Sequence, residues 1–203
     1  MAASPPGRSA TGQTDCVKFR RATAADIPAV VALVESAYRG ETSTHGWTTE
    51  AHLLDGRRTD AEEVAGIITG ATSDVLLAED DELVACCQID HADAVTAYFG
   101  MFAVRPGLQG RGIGRIVLAE SERRALLAGA TRQRMTVIRQ RADLIAWYER
   151  LGYFPTGVTV PWPYGDERYG QPKVDDLEFV ELAKDLPLAA SRTTAAPAEG
   201  EHV

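Results

Sequence analysis

The sequence predicts an α/β (α+β) fold, with about seven strands and about four helices in a single domain. Three observations lead there. Short apolar or alternating runs bounded by turn residues recur along the chain, as strands do. Stretches of helical period or helix-favouring composition lie between them. One apolar run, Tyr98–Val104, passes through a glycine-rich loop straight into a helix. The 203 residues suffice for one domain with a real core and fall short of two comfortable ones. Hydrophobic content of 45% and charged content of 25% are ordinary for a globular protein.

Taken in order, residues 1–15 are small, polar and Pro/Gly-bearing and read as a disordered tail, as do residues 188–203. Residues 16–187 read as the domain. Val17–Arg21 forms a first strand. Thr23, with Asp26 three residues on, caps a helix whose Ile27, Val30, Val31, Val34 and Tyr38 share one stripe. Gly40 ends it, and Glu41–Thr59 is a polar loop with a lone Trp47. Asp60–Ile68 is a second helix capped by Thr59 or Asp60. Val75–Ala78 and Leu83–Ile89 are strands joined by the acidic turn Glu79–Glu82. After the Tyr98 strand, a helix runs from the loop to Ala128. Its apolar pattern is interrupted by Glu120 and Arg124, so the reading rests on composition and the Gly129 stop. Arg134–Ile138 is a strand, Ala142–Leu151 a helix, and Tyr153–Val160 a strand. Pro161–Val174 is turn-rich, and Leu177–Ala183 is a last strand.

The loop carries the chemistry. Arg105-Pro106-Gly107 stops the strand, and Gln109-Gly110-Arg111-Gly112-Ile113-Gly114 opens the helix. Such a loop leaves N–H groups unpaired at the positive end of the helix dipole, and glycine lets them approach a bulky anion. Two phosphate-binding loops are excluded. In a P-loop, Ile113 and Gly114 would have to be lysine and a hydroxyl residue. In the dinucleotide fingerprint, Arg115 occupies the third glycine position.

The pattern Gln109-x-x-Gly112-x-Gly114 after a strand resembles the acetyl-CoA loop of the GNAT acetyltransferase superfamily. Leu144-Ile145-Ala146-Trp147-Tyr148-Glu149-Arg150-Leu151-Gly152-Tyr153 resembles that superfamily's tyrosine-bearing helix, and the chain looks like a small, bacterial-type member. The resemblance covers roughly Val17–Leu186. It implies a mixed, splayed central sheet whose V-shaped opening admits the acyl donor. It further implies that amides of Gln109, Gly110, Arg111, Gly112, Ile113, Gly114 and Arg115 hold the CoA pyrophosphate. Phe102, Ala103 and Val104 would meet the pantetheine arm through their backbone, and Tyr148 would protonate the departing thiolate. The structural alternative for Tyr148 is a core aromatic, since Leu144, Trp147 and Leu151 share its stripe.

Two departures from the family pattern stand out. Arg141 occupies the position of a cofactor-bonding asparagine, so that contact is lost or becomes charged. Where some members carry a glutamate base, this chain has Tyr98, a poor base with an unperturbed pKa of about 10. Glu35, Glu50, His45, His52, Asp90 and His91 are alternative bases. Trp47 and Glu50 are read as acceptor-binding residues; Glu41 or Glu50 suits an amine and Arg57, beside Arg58, a carboxylate. A solvated loop explains that segment equally well.

These features imply an acetyl-CoA-dependent N-acetyltransferase acting by direct amine attack on a small molecule or peptide. The alternative is a non-catalytic acyl-CoA sensor. A formal charge of −8 argues against nucleic acid as a partner. No apolar run has the length of a membrane span, and no signal-peptide core is visible. Cys16, Cys86 and Cys87 show no metal or disulfide spacing, which suits a reducing cytoplasm. No metal is expected, and a homodimer is compatible with the sequence.

Overall fold

The computed structural model of the chain describes residues 17–39, 46, 48–91 and 93–187. Both predicted tails, together with Gly40, Glu41, His45 and Trp47, lie outside the described residues. The elements begin with β1 (Lys18–Arg21), α1 (Ile27–Tyr38), β2 (Leu54–Asp55) and α2 (Ala61–Thr69). Next come β3 (Ser73–Asp80), β4 (Glu82–Asp90), β5 (Thr96–Val104) and α3 (Ile113–Leu127). The chain continues through β6 (Arg132–Ile138), α4 (Ala142–Glu149), β7 (Phe154–Pro161), β8 (Gln171–Pro172) and β9 (Glu178–Asp185).

The helix starts follow local chemistry. The Asp26 carboxylate accepts from the Thr23 N–H at 2.8 Å and from its hydroxyl at 2.9 Å, ahead of α1. Asp60 caps α2 by accepting from the Glu63 N–H at 2.8 Å. The β3–β4 hairpin turns at Asp81, whose φ is 59°. The acidic turn is therefore tighter than its four carboxylates suggest, with both strands running up to that one residue.

Seven strands form one mixed sheet in the order β1-β3-β4-β5-β6-β9-β7. Every pairing is antiparallel except β5 with β6. That parallel pairing covers only Thr96–Tyr98 against Arg132–Arg134, and beyond it the strands part. The splayed sheet expected from the acetyltransferase resemblance is thus present, with its opening beside Phe99–Val104.

Strand β5 changes faces at the opening. Cys86 pairs with Ala103 and Gln88 with Gly100, so β5 carries one extra residue there, a bulge with Met101 at a φ of 42°. An extra residue inverts the alternation of a strand. Ala97 and Phe99 accordingly pack in the cluster with α3 and α4. Met101 and Ala103, of the same parity, pack in the cluster with α1 and α2. Phe102 and Val104 end on the α3/α4 side. Cys86 and Cys87 divide between the two faces as adjacent strand residues should, and burial pushes the Cys86 thiol up to about 12.

Two segments read as loops pair with each other. Strands β2 and β8 make a two-stranded sheet, Leu54 opposite Pro172 and Asp55 opposite Gln171. Gly170 permits it: its φ is +87° and a Cβ there would lie 2.7 Å from the Asp55 carbonyl oxygen. Leu53, Leu54, Ile138, Trp162 and Leu177 form a third, small core beneath this sheet. That core ties the segment after α1 to the far arm of the main sheet.

Candidate functional site

Two cavities meet at the opening of the sheet. The smaller, of about 260 Å³, is bordered by the loop between β5 and α3. Gly112 is the N-cap of α3 with a φ of 86°, a conformation open to glycine and costly for residues bearing a Cβ. The first backbone N–H groups bonded into α3 are those of Arg115 and Ile116, both to the Gly112 carbonyl. Among the described residues, the N–H groups of Gly110, Arg111, Gly112, Ile113 and Gly114 make no backbone hydrogen bond. A Cβ added at Gly110 or Gly112 would meet nothing within 4 Å, so the loop fronts open space. Arg111 and Arg115 are exposed and form no ion pair among the described residues. Unpaired amides at a helix start offer donors and a positive dipole end of the kind that anions bind. The remaining wall, with Phe102, Val104, Leu144 and Trp147, is apolar and suits an attached chain.

The Gln109 side chain serves the protein itself. Its Nε2 donates to Thr48 Oγ1 at 2.8 Å and to the Val104 carbonyl at 3.1 Å. The loop is thereby pinned both to the end of β5 and to the segment following α1.

The larger cavity, of about 370 Å³, shares Tyr38, Phe102 and Leu144 with the smaller one. Tyr38, at the end of α1, donates its hydroxyl to the Phe102 carbonyl at the junction. Phe102 and Trp147 stack with centroids 6.3 Å apart, and Trp147 meets Tyr148 edge-on at 4.9 Å. Consecutive residues of α4 thus serve different cavities: Trp147 lines the smaller and Tyr148 the larger. The Tyr148 hydroxyl has no hydrogen-bond partner among the described residues. Burial, with Tyr38 and Cys87 nearby, raises its pKa well above the usual phenol value, so it stays protonated near neutrality. Burial and Glu50 push Tyr38 up to about 12.

The larger cavity is also charged. Arg39 and Glu50, both buried, pair at 2.8 Å. Arg141 precedes α4 and is 3% exposed; it donates to the Thr48 carbonyl at 3.0 Å and pairs with Asp143. Arg58 lies with its Cζ 5.6 Å from the Tyr38 ring centroid. The Tyr98 hydroxyl and Thr136 Oγ1 are 3.1 Å apart where β5 and β6 separate. The carboxylates lining this cavity, among the described residues, are Glu50 and Glu63.

The structure therefore gathers Phe102, Val104, Gln109, Gly110, Gly112, Gly114 and Arg115 around one cavity. It sets Glu50, Arg141 and Tyr148 on the other. Ala103 is buried in the α1/α2 core, and Ile113 in the opposite one. Of the alternative bases, Glu35 accepts from the Arg58 and Thr59 N–H groups at 2.5 and 2.8 Å, a structural task. His52, Asp90 and His91 do not line the larger cavity. Arg57 pairs with Asp60 on the surface, and it is Arg58 that lines the cavity. Arg39, Tyr38 and Trp162 were missed as site residues. Tyr38 lies on the apolar stripe of α1, and only the need of its hydroxyl for a partner distinguishes it from core. Among the described residues, no group of three or more His, Cys, Asp or Glu is placed to hold a metal ion. No described helix is long and apolar enough to cross a membrane.

The model of the acetyltransferase (GNAT) family matches residues 33–153, and no curated protein matches the sequence. Among solved structures, the ribosomal-protein-S18-alanine N-acetyltransferase from Escherichia coli is 16% identical with a TM-score of 0.63, covering 87% of this chain and 97% of that one. A GNAT family acetyltransferase from Elizabethkingia anophelis with acetyl-CoA bound is 16% identical, with a TM-score of 0.61 and coverage of 85% and 100%. The yncA protein of Salmonella typhimurium with its cofactor acetyl-CoA is 20% identical, with a TM-score of 0.59 and coverage of 87% and 98%. At these identities the likeness is one of fold.

Proposed function

The chain belongs to the acetyltransferase (GNAT) family, and from that membership we propose that it is an acetyl-CoA-dependent N-acetyltransferase whose acceptor amine attacks the donor directly. The observation that carries the reading is the junction of two unlike cavities at Tyr38, Phe102 and Leu144. One has free loop amides and an apolar wall, matching the two chemistries of a CoA chain. The other is polar and charged, as an acceptor site would be. The donor supplies an activated acetyl thioester. Its pyrophosphate is assigned to the amides of Gly110–Gly114, with Arg111 and Arg115 as charge partners. Phe102 and Val104 border its apolar arm.

Tyr148 is assigned as the proton donor to the leaving thiolate. Its hydroxyl is protonated, lines the acceptor side and has no competing partner among the described residues. Arg141 is a positioning residue in this reading, because its guanidinium holds the Thr48 carbonyl and thereby the segment that bonds Gln109. Glu50 acts through its pairing with Arg39 in the wall of the acceptor cavity. The test is thiol release from acetyl-CoA across polyamines, amino acids, antibiotics and peptides, alongside calorimetry of acetyl-CoA alone. Tight donor binding with no thiol released for any acceptor class would overturn the enzymatic reading in favour of a sensor.

A further inference from the structure

The guanidiniums around the larger cavity are not equally engaged. Its lining cations are Arg39, Arg58 and Arg141, and its lining carboxylates are Glu50 and Glu63. Arg39 is matched by Glu50 at 2.8 Å, and Arg141 by Asp143 at 3.0 Å. Glu63 accepts from the Thr59 hydroxyl at 2.8 Å. Arg58 forms no salt bridge and no side-chain hydrogen bond among the described residues, and its guanidinium rests near the face of Tyr38.

Unmet donors point the same way. Among the described residues, five buried side-chain atoms lack a hydrogen-bond partner: Arg39 Nε and Nη2, Trp162 Nε1, Gln133 Oε1 and Gln140 Oε1. The three N–H donors all belong to residues that line this cavity, and the two acceptors belong to residues that do not. The donors cluster about one corner. A Cβ at Gly170 would lie 3.5 Å from Arg39 Nη2, and the adjacent Tyr169 meets the Trp162 ring at 6.0 Å. Buried N–H groups are seldom left unpaired in folded proteins, because each forfeits its hydration without a replacement. A ligand rich in acceptor oxygens would meet them once the wall shifts to expose them, whereas a protonated amine has no acceptor to offer.

We propose that the acceptor carries a carboxylate as well as its amine, and that Arg58 recognises this carboxylate with Arg39 and Trp162 reinforcing the same wall. The substrate class is therefore amino-acid-like, not polyamine-like. The planar guanidinium of Arg58 suits a bidentate carboxylate, and its seat over an aromatic ring leaves its N–H edge for the ligand. The inference rests on the acetyltransferase reading only for naming this cavity as the acceptor side.

The test uses three ligand pairs, each differing by one carboxylate: L-phenylalanine and 2-phenylethylamine, L-histidine and histamine, L-lysine and cadaverine. Binding to the full chain is measured by calorimetry with and without acetyl-CoA, and thiol release is followed in parallel. At least one amino acid should bind about 10-fold or more tighter than its decarboxylated partner, the range for charge-assisted hydrogen bonds. Arg58→Gln should abolish that preference, Arg58→Lys should keep part of it, and both should leave acetyl-CoA affinity unchanged. Trp162→Phe offers a second, milder probe that retains the ring. Equal affinities within every pair would overturn the proposal, as would a preference that survives Arg58→Gln. An Arg58-dependent preference with no thiol released here or for any other acceptor class would leave the carboxylate site standing and sink the acetyltransferase reading instead.

Discussion

Replacing Tyr148 with phenylalanine separates chemistry from packing at the centre of the site. The ring is buried, 4% exposed, and meets Trp147 and Tyr153 edge-on at 4.9 and 5.8 Å. Phenylalanine keeps that ring and those contacts. The lost hydroxyl has no partner among the described residues, so no hydrogen bond of the protein goes with it. Folding stability should change by less than about 1.5 kcal/mol, because the swap conserves the ring's volume and packing. Loss of a general acid should lower kcat by about 10²–10⁴-fold, or about 2.7–5.4 kcal/mol of barrier. The assay is thiol release at saturating donor and acceptor, with donor Kd from calorimetry. Because burial raises the phenol, wild-type Tyr148 keeps its proton, and the deficit should be constant from about pH 6 to 9. Tyr148→Ala should instead lose about 3–5 kcal/mol of stability through the cavity it leaves. Wild-type kcat in the phenylalanine variant, at matched folded fraction, would remove Tyr148 from the mechanism.

Three further outcomes follow from geometry already described. Gly112→Asp sets a carboxylate before the open amides and a Cβ at a φ of 86°; acetyl-CoA affinity should collapse while stability drops by about 1–2 kcal/mol. An unchanged calorimetric Kd would contradict the anion site. Glu50→Ala strands the buried Arg39 charge and should cost about 3–5 kcal/mol in urea unfolding, largely recovered by adding Arg39→Met. A single-variant loss below about 1 kcal/mol would show that the pair is not effectively buried. Asp26 is held below the usual carboxylate range by its hydrogen bonds to Arg20. Its contribution is therefore present above the unfolded pKa of about 3.9 and lost as pH falls further. Asp26→Asn should flatten the decline of Tm below about pH 4, and an identical acid limb would refute the linkage.

What the sequence made legible was local and repetitive. Thr23 with Asp26, Asp60 before α2, and Gly112 at the start of α3 each announce a backbone need that a single side chain meets. The stripe of α1 is readable because one face of that helix is buried. Strand β5 hid its bulge because it is central. With apolar residues wanted on both faces, Phe99 through Val104 shows no broken alternation to betray the inversion at Met101. The β2–β8 pairing was invisible because two-residue strands carry no period and their partners are remote in sequence. The choice between Arg57 and Arg58 was equally closed to sequence reading. Adjacent loop residues face different surroundings, and only the fold shows that Asp60 takes one and the cavity the other.

Thr48 is gripped from two directions. Its hydroxyl accepts from Gln109 on the donor loop, and its carbonyl accepts from Arg141 at the start of the tyrosine-bearing helix. A ligand that ordered the Gln109 loop would through these contacts also order the segment leading to Glu50 and Arg58, and that entropy would be lost once for two ligands. Linkage makes any such coupling equal in both directions, so a donor that tightens the acceptor is tightened by it to the same factor, and Gln109→Leu, which removes the bond to Thr48, should reduce that factor.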